Sequence, residues 1–323
     1  LTEAGYSVAP SDKGRYQQRS LQLARGLRFL SACFRNSESA HLLDLFFEHH
    51  LGHSPTEGYR RAVTFEDLRD RLQTQLRTRR KRLTKALTER ADLWLLKWTD
   101  SLLERGLLVG GYVLNCPHCA HRSWYRIDDV DQHFRCERCA ASTHIPADAI
   151  RSFHLNEAFY QLRLNNGEVV TLMLAVLRES AERSLLYLPE VSLSHPTAKN
   201  GEADVAALVD GDLVIAEAKS TNAVSKKEID WYQYVARRAR AKRLIFATRD
   251  RSKTYCAQLA CDTCQSKFGA HHRDYAWATS TKERIEQARE KSMEDAGMSV
   301  ETLCYQSLIA AHGDPEDELV EIE

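Results

Sequence analysis

GEADVAALVDGDLVIAEAKS, residues 201–220, alternates apolar or small residues with polar ones on both sides of Asp210-Gly211, the strongest short-range signal for a two-residue hairpin turn. Val, Ile, Leu and Ala fill both arms, as strands require. With Asp210 and Gly211 in the loop, Val209 faces Asp212. Counting outward sets Asp204 opposite Glu217 and Glu202 opposite Lys219, and the alternation of strands points all four to one face. Directly opposed side chains lie about 4.5–5.5 Å apart at Cβ, so two carboxylates crowd one spot with a lysine beside them. A solvent-facing charged stripe would set opposite charges against each other, whereas Asp204 faces a like charge. Two ionised carboxylates so close repel unless a cation sits between them. Hard oxygen ligands suit Mg²⁺, or Mn²⁺ in its place.

Asp204 followed by Glu217-Ala218-Lys219 at the end of the next strand resembles the PD-(D/E)xK nuclease signature. It is most similar to the branch of archaeal Holliday-junction resolvases, RecB-type nucleases and Mrr-like restriction enzymes. There a Glu often stands two residues before the first acid, as Glu202 does here. The resemblance covers residues 201–220 strongly and the surrounding chain loosely. It implies a metal-dependent phosphodiesterase, with Asp204, Glu217 and the carbonyl of Ala218 on Mg²⁺. Lys219 would orient or deprotonate the attacking water. A metal so placed lowers the pKa of bound water and stabilises charge developing on the phosphate.

The flanking segments fit the same family. Residues 224–241 read as a helix bearing Gln233, and KRLIFAT (242–248) as a strand. RecB-like members carry a glutamine on that helix, often as QxxxY; here Arg237 takes the tyrosine's place, and Tyr232 and Tyr234 flank the glutamine. Upstream, residues 168–184 read as a helix and LLYLPEVSLSH (185–195) as a strand. The family usually adds one more acid from such a helix, with Glu157, Glu168, Glu179 and Glu182 as candidates. Helix, strand, acidic hairpin, helix, strand predicts an α/β restriction-endonuclease-like core, a small mixed sheet flanked by helices.

A second constellation precedes it. Cys116, Cys119, Cys136 and Cys139 form CxxC-x16-CxxC, the spacing of a four-thiolate zinc ribbon. Each CxxC sets two sulfurs on one tight knuckle, and two knuckles complete a tetrahedron around Zn²⁺, leaving no position for water: a structural metal. No apolar leader opens the sequence and no run approaches a membrane span, so the setting expected is cytoplasmic, where such thiols bind metal more often than they pair. Cys256, Cys261 and Cys264, ahead of His271 and His272, form a less regular set that would suit a second metal or a helix with buried thiols.

The chain has 323 residues, 43% hydrophobic and 28% charged, with 45 basic and 45 acidic side chains. That describes a globular chain of two or three domains. The balance hides an asymmetry: residues 69–90 hold nine Lys or Arg against two acids, and residues 313–323 hold six acids and no base. Leu72, Leu76, Leu83 and Leu87 give the basic segment a helical apolar stripe, and Arg77, Arg79, Arg80, Lys81 and Arg82 suit phosphate contact. Residues 1–110 read as mostly helical, and the helix followed by RGLLVGGYVLNC resembles the helix-plus-hairpin end of a winged helix. The expected order is a helical region (1–110), the ribbon (111–150), the nuclease-like domain (151–300) and an acidic C-terminal segment (301–323). The expected function is a nuclease on nucleic acid, DNA before RNA, in prokaryotic defence or DNA processing, as a homo-oligomer or within a larger complex. A catalytically silent binding or assembly subunit is the alternative.

Overall fold

The computed structural model describes residues 1–51, 55–79, 85–219, 226–248, 271–274 and 299–304. The chain opens with β1 (Ser7–Pro10), α1 (Asp12–Leu23), α2 (Leu27–Arg35) and α3 (Ser37–Leu51). A short 3₁₀ turn leads to β2 (Val63–Thr64), α4 (Phe65–Arg79) and α5 (Lys85–Glu104). Five strands follow: β3 (Leu108–Asn115), β4 (Arg122–Arg126), β5 (His133–Arg135), β6 (Ser142–His144) and β7 (Arg151–Leu155). After α6 (Glu157–Leu164) and α7 (Gly167–Ser180) come β8 (Leu185–Ser194), β9 (Gly201–Val209), β10 (Asp212–Lys219), α8 (Lys226–Arg238) and β11 (Arg243–Thr248). The strands β12 (His271–Asp274) and β13 (Ser299–Cys304) complete the described elements. No described helix is long and apolar enough to cross a membrane.

The chain divides into two compact units. One gathers residues 1–22, 26–35 and the described chain from 161 on; the other holds residues 23–25 and 36–160. The first is a mixed α/β unit on a seven-stranded sheet of order β1-β8-β9-β10-β11-β13-β12. Strands β1, β8, β9 and β10 pair antiparallel, while β10, β11, β13 and β12 run parallel to their neighbours. The hairpin keeps the register that its turn dictates, Val209 against Asp212 and Ala206 against Ile215. Asp210 and Gly211 both take positive φ, 54° and 99°, which a two-residue primed turn requires at both central positions. The Asp210 carboxylate also accepts the backbone N–H groups of Glu182, Arg183 and Ser184 at 2.6–2.9 Å, fixing the approach to β8.

Helices cover the sheet. Every residue of α7 from Gly167 to Leu177 is buried, Glu168 and Thr171 among otherwise apolar side chains, so this helix serves as core, packed against α2 and strands β8–β11. From α8, Ile229, Tyr232, Val235 and Ala236 meet Ile215, Leu244 and Phe246. Each of the large aliphatic and phenylalanine side chains among them contributes about 1.5–3 kcal/mol on burial. Residues 1–22 and 26–35, grouped with the helical N-terminal region in the sequence reading, cluster in this unit. β1 adds to the edge of β8 from Ser7 opposite Ser194 to Pro10 opposite Val191, and α2 packs on α7.

In the second unit the entry to α4 is a reciprocal cap: Thr64 N and Oγ1 donate to Asp67 Oδ2 at 2.8 and 2.7 Å, and Asp67 N donates back to Thr64 Oγ1 at 3.1 Å. Helices α3, α4 and α5 precede an antiparallel sheet of order β2-β7-β3-β4, and β5 pairs with β6 alone. The segment holding all four cysteines therefore enters from β3 and returns through β7, the strand between β2 and β3.

Candidate active site and metal centre

The hairpin brings Asp204, Glu217 and Lys219 together at the ends of β9 and β10. The ladder runs to Val205 opposite Ala216, and one step beyond it the same register sets Asp204 against Glu217, whose charges act on each other. Asp204 Oδ2 also accepts the N–H of Ala218 at 2.6 Å. Lys219 Nζ contacts Glu217 Oε1 and lies 2.9 Å from Glu228 Oε1 on α8. Glu202 does not meet Lys219 in the way that counting outward from the turn suggested. The β9–β10 ladder has ended by that point while β9 stays paired with β8, Glu202 opposite Ser192, and Glu202 Oε2 lies 3.3 Å from Nζ of Lys13 on α1.

From α8, the Tyr232 hydroxyl donates to Glu217 Oε2 and sits 3.1 Å from the Glu202 carbonyl. Gln233 beside it is buried at 1% exposure, whereas Tyr234 is 44% exposed. Of the two tyrosines flanking the glutamine, Tyr232 is the one that reaches the acids. The helix acids lie elsewhere: Glu168 is buried with Arg163 at 3.4 Å, Glu179 pairs with Arg35, and Glu157 and Glu182 are exposed. A further carboxylate at Asp204 comes from β8. Glu190 is 3% exposed, and its charge acts directly on Asp204. The sequence reading passed over it, although Pro189 opposite Val205 and Val191 opposite Ala203 bracket it in the register that places it against Asp204.

Burial dominates the electrostatics of the cluster. Loss of solvent, then the neighbouring Glu190, pushes Asp204 up to about 7. Burial and then Asp204 push Glu217 up to about 8, with Lys219 opposing. Glu190 rises to about 7 through burial, with Lys13 opposing. Burial alone would lower Lys219, but Glu217 and Glu228 outweigh it and hold it above the usual lysine range. The sign for stability follows. A carboxyl raised on folding opposes the folded state once pH forces it to ionise, so the cost is absent near pH 4 and complete above about pH 8. Asp204→Asn is therefore expected to stabilise the protein by roughly 2–4 kcal/mol at pH 8.5 in buffer free of Mg²⁺ and Mn²⁺, with the difference vanishing near pH 4. Urea unfolding of both proteins across that range checks it; parallel curves at every pH would show that Asp204 carries no such burden.

The donor set fits a hard divalent cation: several carboxylates converge on one place, and the positive groups among them, Lys13 and Lys219, contact Glu202 and Glu217.

The cysteine centre is built from two copies of one turn. Cys116 N donates to His121 O at 2.8 Å and Ala120 N to Cys116 O at 2.8 Å; Cys136 N and Ala140 N repeat both bonds at 2.9 Å, to Ala141 O and Cys136 O. Ala120 and Ala140 occupy matching left-handed positions, φ 56° and 58°. The four Sγ atoms lie within 4.8 Å of one another, and all four are free thiols. Backbone N–H groups of Cys139 and Arg138 aimed at Cys136 lower its thiol to about 6, while, against the His121 N–H, burial and the neighbouring thiols push Cys119 up to about 12, so without a cation the four do not all ionise together. The arrangement fits Zn²⁺.

Around it, Arg122 stands over the Tyr59 ring at 5.1 Å and Arg126 pairs with Asp128 at 3.2 Å, so two of the ribbon's arginines have local partners. In the basic segment Arg77 is exposed, while Arg69 lies 3.4 Å from Asp92 and Arg71 2.6 Å from Glu48. The side chain of Arg79, and Arg80, Lys81, Arg82, Cys256, Cys261, Cys264 and the acidic tail, lie outside the described residues; His271 and His272 are described only as backbone of β12.

No protein-family model matches the chain, and no curated protein sequence matches it. Among solved structures it is similar to protein VC1899 from Vibrio cholerae, at 13% identity and TM-score 0.35, over 96% of this chain and 57% of that one. It is also similar to Can2 from Sulfobacillus thermosulfidooxidans, solved in complex with cyclic tetra-adenylate, at 14% identity and TM-score 0.28, over 81% of this chain and 52% of that one. The chain thus spans little more than half the length of either.

Proposed function

We propose that this chain is a Mg²⁺- or Mn²⁺-dependent nuclease of PD-(D/E)xK type, acting on DNA before RNA. The observation that carries the reading is the Asp204–Glu217 carboxyl pair, Glu217 buried and Asp204 partly so, with Lys219 on the same strand end. Asp204, Glu217 and the Ala218 carbonyl would hold the cation, which supplies a Lewis acid for the phosphate and an acidified water. Lys219, kept protonated by Glu217 and Glu228, donates a hydrogen bond to the attacking water or to a phosphate oxygen rather than taking a proton. Tyr232 holds Glu217 in place through its hydroxyl. The order α3, β2, α4, α5, β3, β7 with β7 between β2 and β3 supports reading the second unit as a winged helix, its wing replaced by the zinc ribbon. Such a unit would present the target to the nuclease.

Incubating the zinc-loaded protein with supercoiled plasmid and with single-stranded DNA tests this, with Mg²⁺, with Mn²⁺ and with neither. Metal-dependent nicking supports it; cleavage that persists without either ion overturns it. A second reading, an assembly subunit, draws on α5, where Leu93 and Leu96 are 64% and 48% exposed beside Lys97 and Asp100. Stable complexes formed without nucleic acid would favour it.

A further inference from the structure

Glu190 is held in a conformation that its own chemistry does not favour. Its φ is +50°, in the left-handed region that non-glycine residues seldom adopt, within a strand and between Pro189 and Val191. The first turn of α1 enforces it. Ser11 N donates to the Glu190 carbonyl at 2.9 Å, and Ser11 Oγ caps α1 by accepting from Gly14 N at 3.1 Å. Gly14 is the residue that lets the helix approach: a Cβ there would stand 2.3 Å from Glu190 O and 3.0 Å from Pro189 O, both backbone atoms. Strain of this kind persists only where the surroundings over-determine it, and it concentrates at functional sites.

The side chain points to what the strain is for. The register sets Glu190 against Asp204, and its Oε2 is buried without a hydrogen-bond partner. A buried carboxylate oxygen without a donor is costly. Lys13, from the same turn of α1, ion-pairs with Glu202, and its charge acts on Glu190 as well; its own side chain is 45% exposed. It therefore has room to swing away.

We propose that Glu190 is a third carboxylate ligand of the divalent cation, and that Lys13 is the internal cation that competes with the metal for this corner of the site. The proposal rests on the nuclease reading and extends its site to the N-terminal helix. Loading the site would release Lys13 from the acids and leave its ammonium exposed at the edge of the site.

Mn²⁺ binding tests this without recourse to activity. The probe is Mn²⁺ alone, titrated into the full zinc-loaded chain and followed by the electron paramagnetic resonance of the free ion, for wild type, Glu190→Gln, Asp204→Asn and Lys13→Gln. Glu190→Gln is expected to weaken binding at least about 10-fold, since even residues that only support a metal ligand cost that much. Lys13→Gln is expected to tighten it several-fold. If Asp204→Asn loses Mn²⁺ while Glu190→Gln binds as wild type does, the proposal falls and the nuclease reading stands. If wild type binds none, both fall. Should Glu190→Gln fail to fold, Lys13→Gln decides alone: unchanged or weaker binding overturns the competition.

Discussion

Lys219→Ala is expected to lower DNA cleavage about 10²- to 10⁴-fold, the range for a positioned proton donor or acceptor at a reacting centre. The fall should appear in kcat, with substrate binding little changed, because one ammonium among acids adds little to a duplex held by many phosphate contacts. Lys219→Arg should not restore the rate. A guanidinium is planar and wider than the ammonium now seated between Glu217 and Glu228, so it cannot keep both contacts from the same backbone position. The fold should survive, since Lys219 closes β10 and is only partly buried. Its loss leaves Glu217 beside Asp204 with one positive neighbour fewer, and Glu217 should then bind its proton more tightly. The rate–pH profile of the residual activity should therefore move toward higher pH. Equal cleavage by wild type and Lys219→Ala would place the chemistry elsewhere in the chain or in a contaminant.

How much of this site could be read in advance depended on how local its causes were. The turn at Asp210-Gly211 is a local matter, so the register and the Asp204–Glu217 encounter followed from counting along one hairpin. The expected Glu202–Lys219 contact failed one step further out, because past Asp204 the partner that matters is β8. Glu190 and Lys13 were invisible for the same reason. One sits in a backbone conformation that its residue type does not advertise, and the other arrives on a helix from the start of the chain. That residues 1–22 cluster with the hairpin's unit shares that cause, since nothing within residues 7–10 announces that they pair with 191–194. Tyr232 lay between these extremes. It was noted as flanking Gln233, but only the packing of α8 on β10 and β11 shows it donating to Glu217.

The cysteine centre was legible from spacing alone, and its removal is expected to have the larger structural effect. The ribbon's own core is small, with Leu114, Tyr125 and Phe134 buried and Tyr112, Val130, Ile145 and Ala149 packed partly against them. That is too little apolar surface to offset the entropy of ordering two knuckles and two hairpins, at about 1–2 kcal/mol per residue for the backbone alone. Both knuckles also hold an alanine at positive φ, a further cost that the sequence does not relieve with glycine. A bound metal would close the gap, because the binding free energy of a structural Zn²⁺ site, about 10–16 kcal/mol at pH 7, is at once folding free energy. Cys136→Ser with Cys139→Ser is therefore expected to abolish zinc binding, from about one ion per chain, the capacity of a single four-thiolate site. Amides from residue 112 to 145 should then lose their protection from hydrogen exchange. Strands β8–β11 should keep theirs, since they draw on the separate core of α7 and α8. Elemental analysis and exchange mass spectrometry on the same sample check both halves of this expectation. A zinc-free protein whose ribbon amides remain protected would mean that the hairpins stand on their packing alone, and the four thiols would then need another explanation.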